Sequence, residues 1–334
     1  MYTAAQAQSD AERMAFCAPL GTGALDPSAV QALQPDAQWL LTDGSDLVAR
    51  CSLWWRRVPT YQDHRVGLIG HYAARDAAGA SQLLRAAGDE LAGQGCTLAV
   101  GPMDSNTYQR YRLVTDRGTE PPFFLEPDNP AAWPAHFVAS GFSVLARYCS
   151  ALQLDLAAPD ERLERITQRL ERRGIRIRPL RLDHFERDVR AMHAIATASF
   201  SQSVLHTPID ADAFARLYQP LRAYVVPDLV LIAECDDVPV GLLFTLPDWL
   251  QAQREPRVTT LILKTIAVRP AFAGHGLAGA LIARGLLTAQ QLGYTRVIHA
   301  LMHERNTSVR LSDRYHATIM RRYALYAKTL RRPR

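Results

Sequence analysis

The sequence predicts an α/β protein built from two copies of one strand–helix–strand unit in tandem, and three observations carry that expectation. Residues Lys264 to Leu281 read as an apolar strand, a proline-containing break and a glycine-rich turn that opens directly into an amphipathic helix. The same order appears earlier, as an apolar strand at Arg65–Tyr72, a helix at Asp76–Leu91 and a second strand at Cys96–Val100. At 334 residues the chain is long for one domain of ordinary size and comfortable for two.

Taken in order, Trp39–Thr42 and Leu47–Trp55 flank Asp43-Gly44 and read as a hairpin through a short turn. The helix that follows the next strand carries Leu83, Leu84, Ala87 and Leu91 on one side and is ended by Gly93 and Gly95. Its start, Ala77-Ala78-Gly79-Ala80-Ser81, has a single glycine where the later copy has three, so a phosphate is poorly held there. An insertion follows, Gly101–Arg112 and Glu120–Pro127. Its aromatic residues Tyr108, Tyr111, Phe123 and Phe124 serve either as a wall for an acceptor or acyl chain or as glue between the two halves. The segment Asp155–Gly174, with Pro159 and then a charged helix of alternating acids and arginines, reads as the linker between units. The expected division is residues 1–156, a linker 157–174 and a second unit 175–334.

In the second copy the strand Thr259–Val268 leads to Gly274, Gly276 and Gly279, then a helix to Leu292 and a strand Thr295–Met302. Glycines at a helix start let backbone N–H groups approach an anion, and the helix adds its positive end. The string Gly274-His275-Gly276-Leu277-Ala278-Gly279 satisfies a dinucleotide fingerprint, but it begins six positions after Val268 and no acidic strand end follows at the required distance. A Walker loop is excluded because no Gly-Lys-Ser/Thr is present.

The stretch Val268-Arg269-Pro270, Ala273-Gly274-His275-Gly276-Leu277-Ala278, with Asn306-Thr307-Ser308 and Met320–Lys328 downstream, resembles the acyl-CoA-binding core of the GNAT acyltransferase superfamily. The earlier copy, with Asn129–Trp133 and Gly141-Phe142, resembles a second, degenerate GNAT unit. The resemblance implies two tandem units, each a mixed, mostly antiparallel twisted sheet flanked by helices. It also implies an acyl-CoA or acyl-phosphopantetheine donor held by Ile266, Ala267, Val268, Gly274, His275, Gly276, Leu277, Ala278, Asn306 and Ser308, with the thioester carbonyl polarised by a backbone N–H near Ile266–Val268. Two departures stand out. Ala273 replaces the family's Arg or Gln, and Asp313 falls where the family often has the Tyr that protonates the leaving thiolate. Tyr315, Tyr323 and Tyr326 are the substitutes in that segment, Tyr315 foremost.

An acceptor ammonium near pKa 10 must lose a proton before it attacks. Asp248, in the turn after an apolar strand, and His303 with Glu304, at a strand end, are the candidate bases; Asp248 is equally suited to forming a turn and His303-Glu304 to capping a helix. His299 reads as a core histidine. No helical H-E-x-x-H frame is present, so no zinc site is expected. Lys264–Ala267, Ala300–His303, Asn306–Ser308 and Arg321–Tyr326 also resemble a bacterial tandem subgroup, which implies N-acylation of a lipid or metabolite amine, as in bacterial ceramide synthase-like enzymes. The alternatives are a small-amine N-acetyltransferase, an aminoacyl-tRNA-dependent transferase and a non-catalytic acyl-CoA sensor. An acyl carrier protein is an equal donor to CoA, because both present phosphopantetheine.

Composition sets the remaining limits. The net charge is +5, and Lys264 and Lys328 are the only lysines among 38 basic residues. The arginine clusters alternate with acids and lack interleaved aromatics, so nucleic-acid binding is not expected. No apolar run is long enough to span a membrane and the first residues carry early acids, so a cytoplasmic protein is expected. Cys17, Cys51, Cys96, Cys149 and Cys235 form no C-x-x-C pair and predict reduced thiols.

Overall fold

The computed structural model describes residues 2–156 and 163–331. Pro159 and the rest of 157–162, within the expected linker, lie outside them. The first half runs β1 (Thr3–Gln6), α1 (Asp10–Phe16), α2 (Pro27–Ala32), β2 (Ala37–Asp43), β3 (Asp46–Trp54), β4 (Val66–Ala74), α3 (Ala77–Gly93), β5 (Leu98–Gly101), β6 (Leu113–Asp116), α4 (Trp133–Ala139) and β7 (Ser143–Gln153). The second half runs α5 (Leu163–Glu171), β8 (Ile175–Pro179), α6 (Phe185–Phe200), α7 (Ala211–Tyr218), β9 (Val230–Cys235), β10 (Val238–Pro247), β11 (Thr260–Val268), α8 (Leu277–Gln291), β12 (Arg296–His303), α9 (Thr307–Asp313) and β13 (Thr318–Thr329).

Among the described residues the thirteen strands form one sheet, in the order β1-β2-β3-β4-β5-β13-β7-β12-β11-β10-β9-β8, with β6 paired to β13. Pairing is antiparallel except for β4 with β5 and β11 with β12. The two halves repeat one plan, an antiparallel meander whose last strand crosses through a helix to a parallel neighbour. The closing strands are traded. β13, from the end of the chain, pairs with β5, while β7 pairs with β12, and the two traded strands pair with each other over nine registered positions. The sheet is therefore continuous across both halves.

Side-chain alternation lets each strand feed both faces. On β10, Leu243 joins the core under α8, whereas Leu242, Phe244 and Leu246 join the one under α6. In the first half, Leu41 packs beneath α3 while Leu40 packs against Phe16 and Val30 of α1 and α2. The five cysteines are free.

The parallel strands of the first half part beyond Leu68 and Val100, and the chain fills the opening itself. Met103 donates its N–H to the Ile69 carbonyl at 2.9 Å, and the Asp104 carboxylate accepts the His71 N–H at 2.5 Å. The start of α3 is likewise occupied. Asp76 caps it, accepting the Gly79 N–H at 2.8 Å, which holds that carboxyl below its usual range.

Gly70 allows the plug to seat, since a Cβ there would strike the Met103 carbonyl oxygen and come within 2.6 Å of the Asp104 carboxylate. Gly70→Ala is expected to cost about 2 kcal/mol of stability; an unchanged urea midpoint would show that the plug is loosely held. A pH effect comes from His299, a buried sheet residue whose Nε2 donates to Gln153 Oε1 at 3.1 Å. Burial lowers its pKa to about 4. Its neutral form is thus favoured by folding, and the associated stability is intact above pH 6.5 and lost as pH falls toward 4, by up to about 3 kcal/mol. His299→Gln should flatten that part of the stability profile, measured by chemical denaturation at several pH values.

Candidate active site

The second half repeats the parting of parallel strands but leaves it open. Registered pairing of β11 with β12 covers only Thr260–Leu263 opposite Arg296–His299. Beyond that point β11 keeps its partner β10, through Thr265, Ile266, Ala267 and Val268, while the end of β12 follows β7. A cleft of about 3180 Å³ runs from this opening, several times the roughly 300–1,000 Å³ of a small-ligand pocket. It has room for a large donor and an acceptor together.

One end of the cleft is the turn before α8. Gly274 and Gly276 adopt φ of 76° and 87°, the left-handed region that favours glycine. Gly276 is the helix N-cap and no side chain caps the helix, in contrast to Asp76 on α3. Among the described residues no anion caps the first-turn N–H groups of α8, which face the cleft. Gly274, Gly276, Leu277 and Ala278 line it, as do Ile266, Ala267 and Val268. His275 does not; its contribution is a carbonyl that accepts from Arg169 of α5 at 3.0 Å. Asn306 is the N-cap of α9, makes no side-chain cap bond, and lines the cleft together with Ser308.

The candidate proton-transfer groups separate. Asp248 is 3% exposed and does not line the cleft. Its carboxylate accepts from the Phe124 N–H at 2.8 Å, the Leu250 N–H at 3.2 Å and Arg254 at 3.4 Å, while burial raises its pKa. Its geometry is that of a fastener between the insertion and the turn after β10. Glu304 lines the cleft, with one oxygen on Arg322 at 2.9 Å. His303 also lines it, edge-on to Tyr148 at 5.1 Å, and burial lowers its pKa, with Arg305 and Arg112 adding to the effect. Its Nδ1 accepts the Arg305 N–H at 3.1 Å, so the neutral ring carries its proton on Nε2. Of the three candidate proton-donor tyrosines, Tyr315 reaches the cleft and Tyr323 and Tyr326 do not. Tyr323 is buried and donates to Glu126, and Tyr326 is buried against Phe137.

The insertion divides between the two roles expected of it. Tyr108 and Tyr111 line the cleft, whereas Phe123 packs into the sheet core with Ile262 and Ile298, and Phe124 lies tilted against Tyr224.

Several cleft groups escape sequence reasoning. Lys264 lines the cleft at a bulge of β11, and burial lowers its pKa to about 8. The signal was its rarity, one of two lysines in the chain. Arg112 lines it from the first half, its guanidinium against the rings of Tyr111 at 3.9 Å and Tyr148 at 4.2 Å. Helix α5 is more than a solvated connection, because Leu170 is buried and Ile166 reaches the cleft beside the glycine turn. Among the described residues no cluster of His, Cys, Asp and Glu could hold a metal, and no helix is long and apolar enough to cross a membrane.

Comparison with known proteins agrees with this geometry. Residues 189–315 match the Acetyltransferase (GNAT) family model. Protein YghO of Escherichia coli strain K12 is 23% identical over 219 residues, which cover 63% of this chain and 54% of that one. The chain thus spans about half the length of this curated relative. A GNAT structure from Sphaerobacter thermophilus superposes with a TM-score of 0.51 at 14% identity, covering 99% of this chain and 96% of the other. A tandem GNAT protein of the clavulanic acid biosynthesis pathway gives 0.52 at 11% identity, covering 98% of each. The uncapped glycine turn, the parted strands and the match to the Acetyltransferase (GNAT) family model all fall on one stretch of chain, residues 189–315, and the chain as a whole has the fold of tandem GNAT structures.

Proposed function

We propose that this protein is an N-acyltransferase that moves an acyl group from a phosphopantetheine thioester, of CoA or an acyl carrier protein, to a primary amine. The observation that carries the reading is the contrast between the halves. The first half closes its parted strands with Met103 and Asp104 and its helix start with Asp76, while the second leaves both the β11 edge and the α8 start open to one cleft. We retain the division into units 1–156 and 175–334 joined by 157–174, with the closing strands traded and only the second unit holding donor.

In this reading the donor pyrophosphate lies on the N–H groups following Gly274 and Gly276, where the helix end favours negative charge. The pantetheine arm takes the place of a strand along Ile266–Val268, and Asn306 and Ser308 flank it. A backbone N–H of that edge polarises the thioester carbonyl as the amine attacks. The tetrahedral intermediate then expels the thiolate, which takes a proton from Tyr315, a hydroxyl of the closing segment that lines the cleft. His303 and Glu304 are the groups placed to handle the acceptor's proton. The cleft's size and its aromatic lining at Tyr108, Tyr111 and Tyr218 favour a bulky acyl chain or acceptor, such as a lipid or metabolite amine.

Calorimetry with CoA, acetyl-CoA, palmitoyl-CoA and acylated carrier protein tests the donor class, and release of free thiol with an amine panel tests turnover. Gly276→Asp places a carboxylate where the pyrophosphate sits and is expected to weaken donor binding at least tenfold, about 1.4 kcal/mol, with an unchanged circular dichroism spectrum. Retained affinity would remove the glycine turn from the site. Asp248→Asn should behave in the opposite way, losing about 1–3 kcal/mol of stability while binding donor normally. Loss of turnover in a fully stable Asp248→Asn protein would return Asp248 to the chemistry.

A further inference from the structure

Two cations face the same part of the cleft wall, and among the described residues neither is ion-paired to a carboxylate. On β11, Thr265 pairs with Phe244 and Leu263 with Thr245, so Lys264 is the extra residue of a bulge and has no partner across the ladder. Its side chain turns into the cleft, at the point where β11 leaves β12. Arg112 reaches the same place from the first half. It is 6% exposed, its backbone is held at φ 69°, and its guanidinium packs in the corner formed by the edge-to-face rings of Tyr111 and Tyr148. One terminal nitrogen donates to the Leu301 carbonyl at 3.2 Å, and its Nε, also buried, has no hydrogen-bond partner among the described residues.

Leu263 pairs with His299, and Arg112 bonds the carbonyl of Leu301 two residues further along β12, so both cations face the cleft where the strands part; Arg112 opposes the charge on Lys264, adding to the effect of burial. Among the described residues no carboxylate forms an ion pair with either. The acids along this part of the cleft are engaged elsewhere: Glu304 with Arg322, Glu120 with Arg296, and Glu126 with Arg321. Two like charges held together in a protein wall are unfavourable. An anion bridging them removes the repulsion, and a rigid guanidinium presents paired donors suited to a carboxylate or phosphate. The place also fits an acceptor: His303 lies beside Arg112, against the same Tyr148 ring.

Resting on the acyltransferase reading, we propose that the acceptor amine carries a carboxylate or phosphate group, and that Lys264 and Arg112 bind this group so that the amine faces the thioester. Lys264 and Arg112 are then specificity residues. A zwitterionic amino acid and a phosphorylated amino alcohol share the required chemistry.

With only Lys264 and Lys328 in the chain, ε-labelled lysine NMR reads the site directly, and Lys264→Met assigns the signals. With CoA saturating, inorganic phosphate and glycine are each expected to shift the Lys264 signal saturably and raise its titration midpoint, while glycinamide, which lacks the carboxylate, and the Lys328 signal serve as controls. Lys264→Met should weaken phosphate binding at least tenfold and leave CoA affinity unchanged. A response to glycinamide equal to that of glycine, equal responses of both lysines, no saturable response, or full phosphate affinity in Lys264→Met each overturns the proposal. So does a Lys264 response completed by CoA alone, which would assign the anion to the donor's own phosphates. Failure of CoA to bind at all strikes instead at the acyltransferase reading. Once turnover is found, phosphoethanolamine against ethanolamine, and glycine against glycinamide, separate phosphate from carboxylate. An acceptor preference for neutral amines, or a Lys264→Met variant that alters only the pH profile of kcat without changing acceptor KM, also overturns the proposal.

Discussion

Strands β11 and β12 pair in parallel over four residues and then part, and the rest of the molecule is arranged around that interruption. Backbone donors and acceptors at a parted edge need partners. The first half meets the demand with its own chain, through Met103 and Asp104, and neutralises the start of α3 with Asp76. The second half meets it on the β10 side only and leaves α8 without a side-chain cap. The same plan thus gives a self-satisfied scaffold in one copy and a receptive edge in the other. The difference is a matter of which few residues occupy the opening, not of a different fold.

The traded strands explain why a scaffold copy is retained at all in the architecture. β7 belongs to the first half by sequence, yet it lines β12, and it carries Tyr148 to the site. β13 belongs to the second half and pairs with β5, the strand that leads into the insertion. Arg112, within that insertion, is clamped by Tyr111 and by Tyr148 of β7 and bonds the β12 carbonyl of Leu301. One wall of the cleft is therefore contributed by the first half and held rigidly in place by the exchange. A rigid wall is what a positioning role requires, since little ordering cost remains when a ligand arrives.

The elements with strong periodicity were legible in the sequence. β11, α8 and β12 fall within a residue or two of Thr259–Val268, Gly276–Leu292 and Thr295–Met302, because glycine turns and apolar runs mark their ends. The glycine turn, too, was readable, since few other uses explain three glycines at a helix start. The traded strands were not, because pairing partners distant in sequence leave no local pattern. Asp248 illustrates the same limit: a carboxylate at a strand end suits catalysis or turn formation alike, and only the Phe124 N–H, 124 residues away in the chain, decides its engagement. Arg112 and Lys264 were invisible as a pair for this reason, one sitting in the insertion and the other on a bulge whose register depends on β10.

The electrostatics of the cleft bear on how an acceptor loses its proton. His303 at neutral pH is uncharged, because burial and the neighbouring Arg305 and Arg112 all disfavour imidazolium. Its Nδ1 is committed to the Arg305 N–H, so the ring offers an N–H through Nε2, and taking a proton at Nδ1 means giving up that bond. The environment lowers the demand on any base. Positive groups that depress the pKa of His303 and Lys264 act in the same direction on an ammonium brought beside them. In the proposed reading, burial in this wall favours the acceptor's neutral, nucleophilic amine, and a modest base, or water leading to Glu304, completes the transfer.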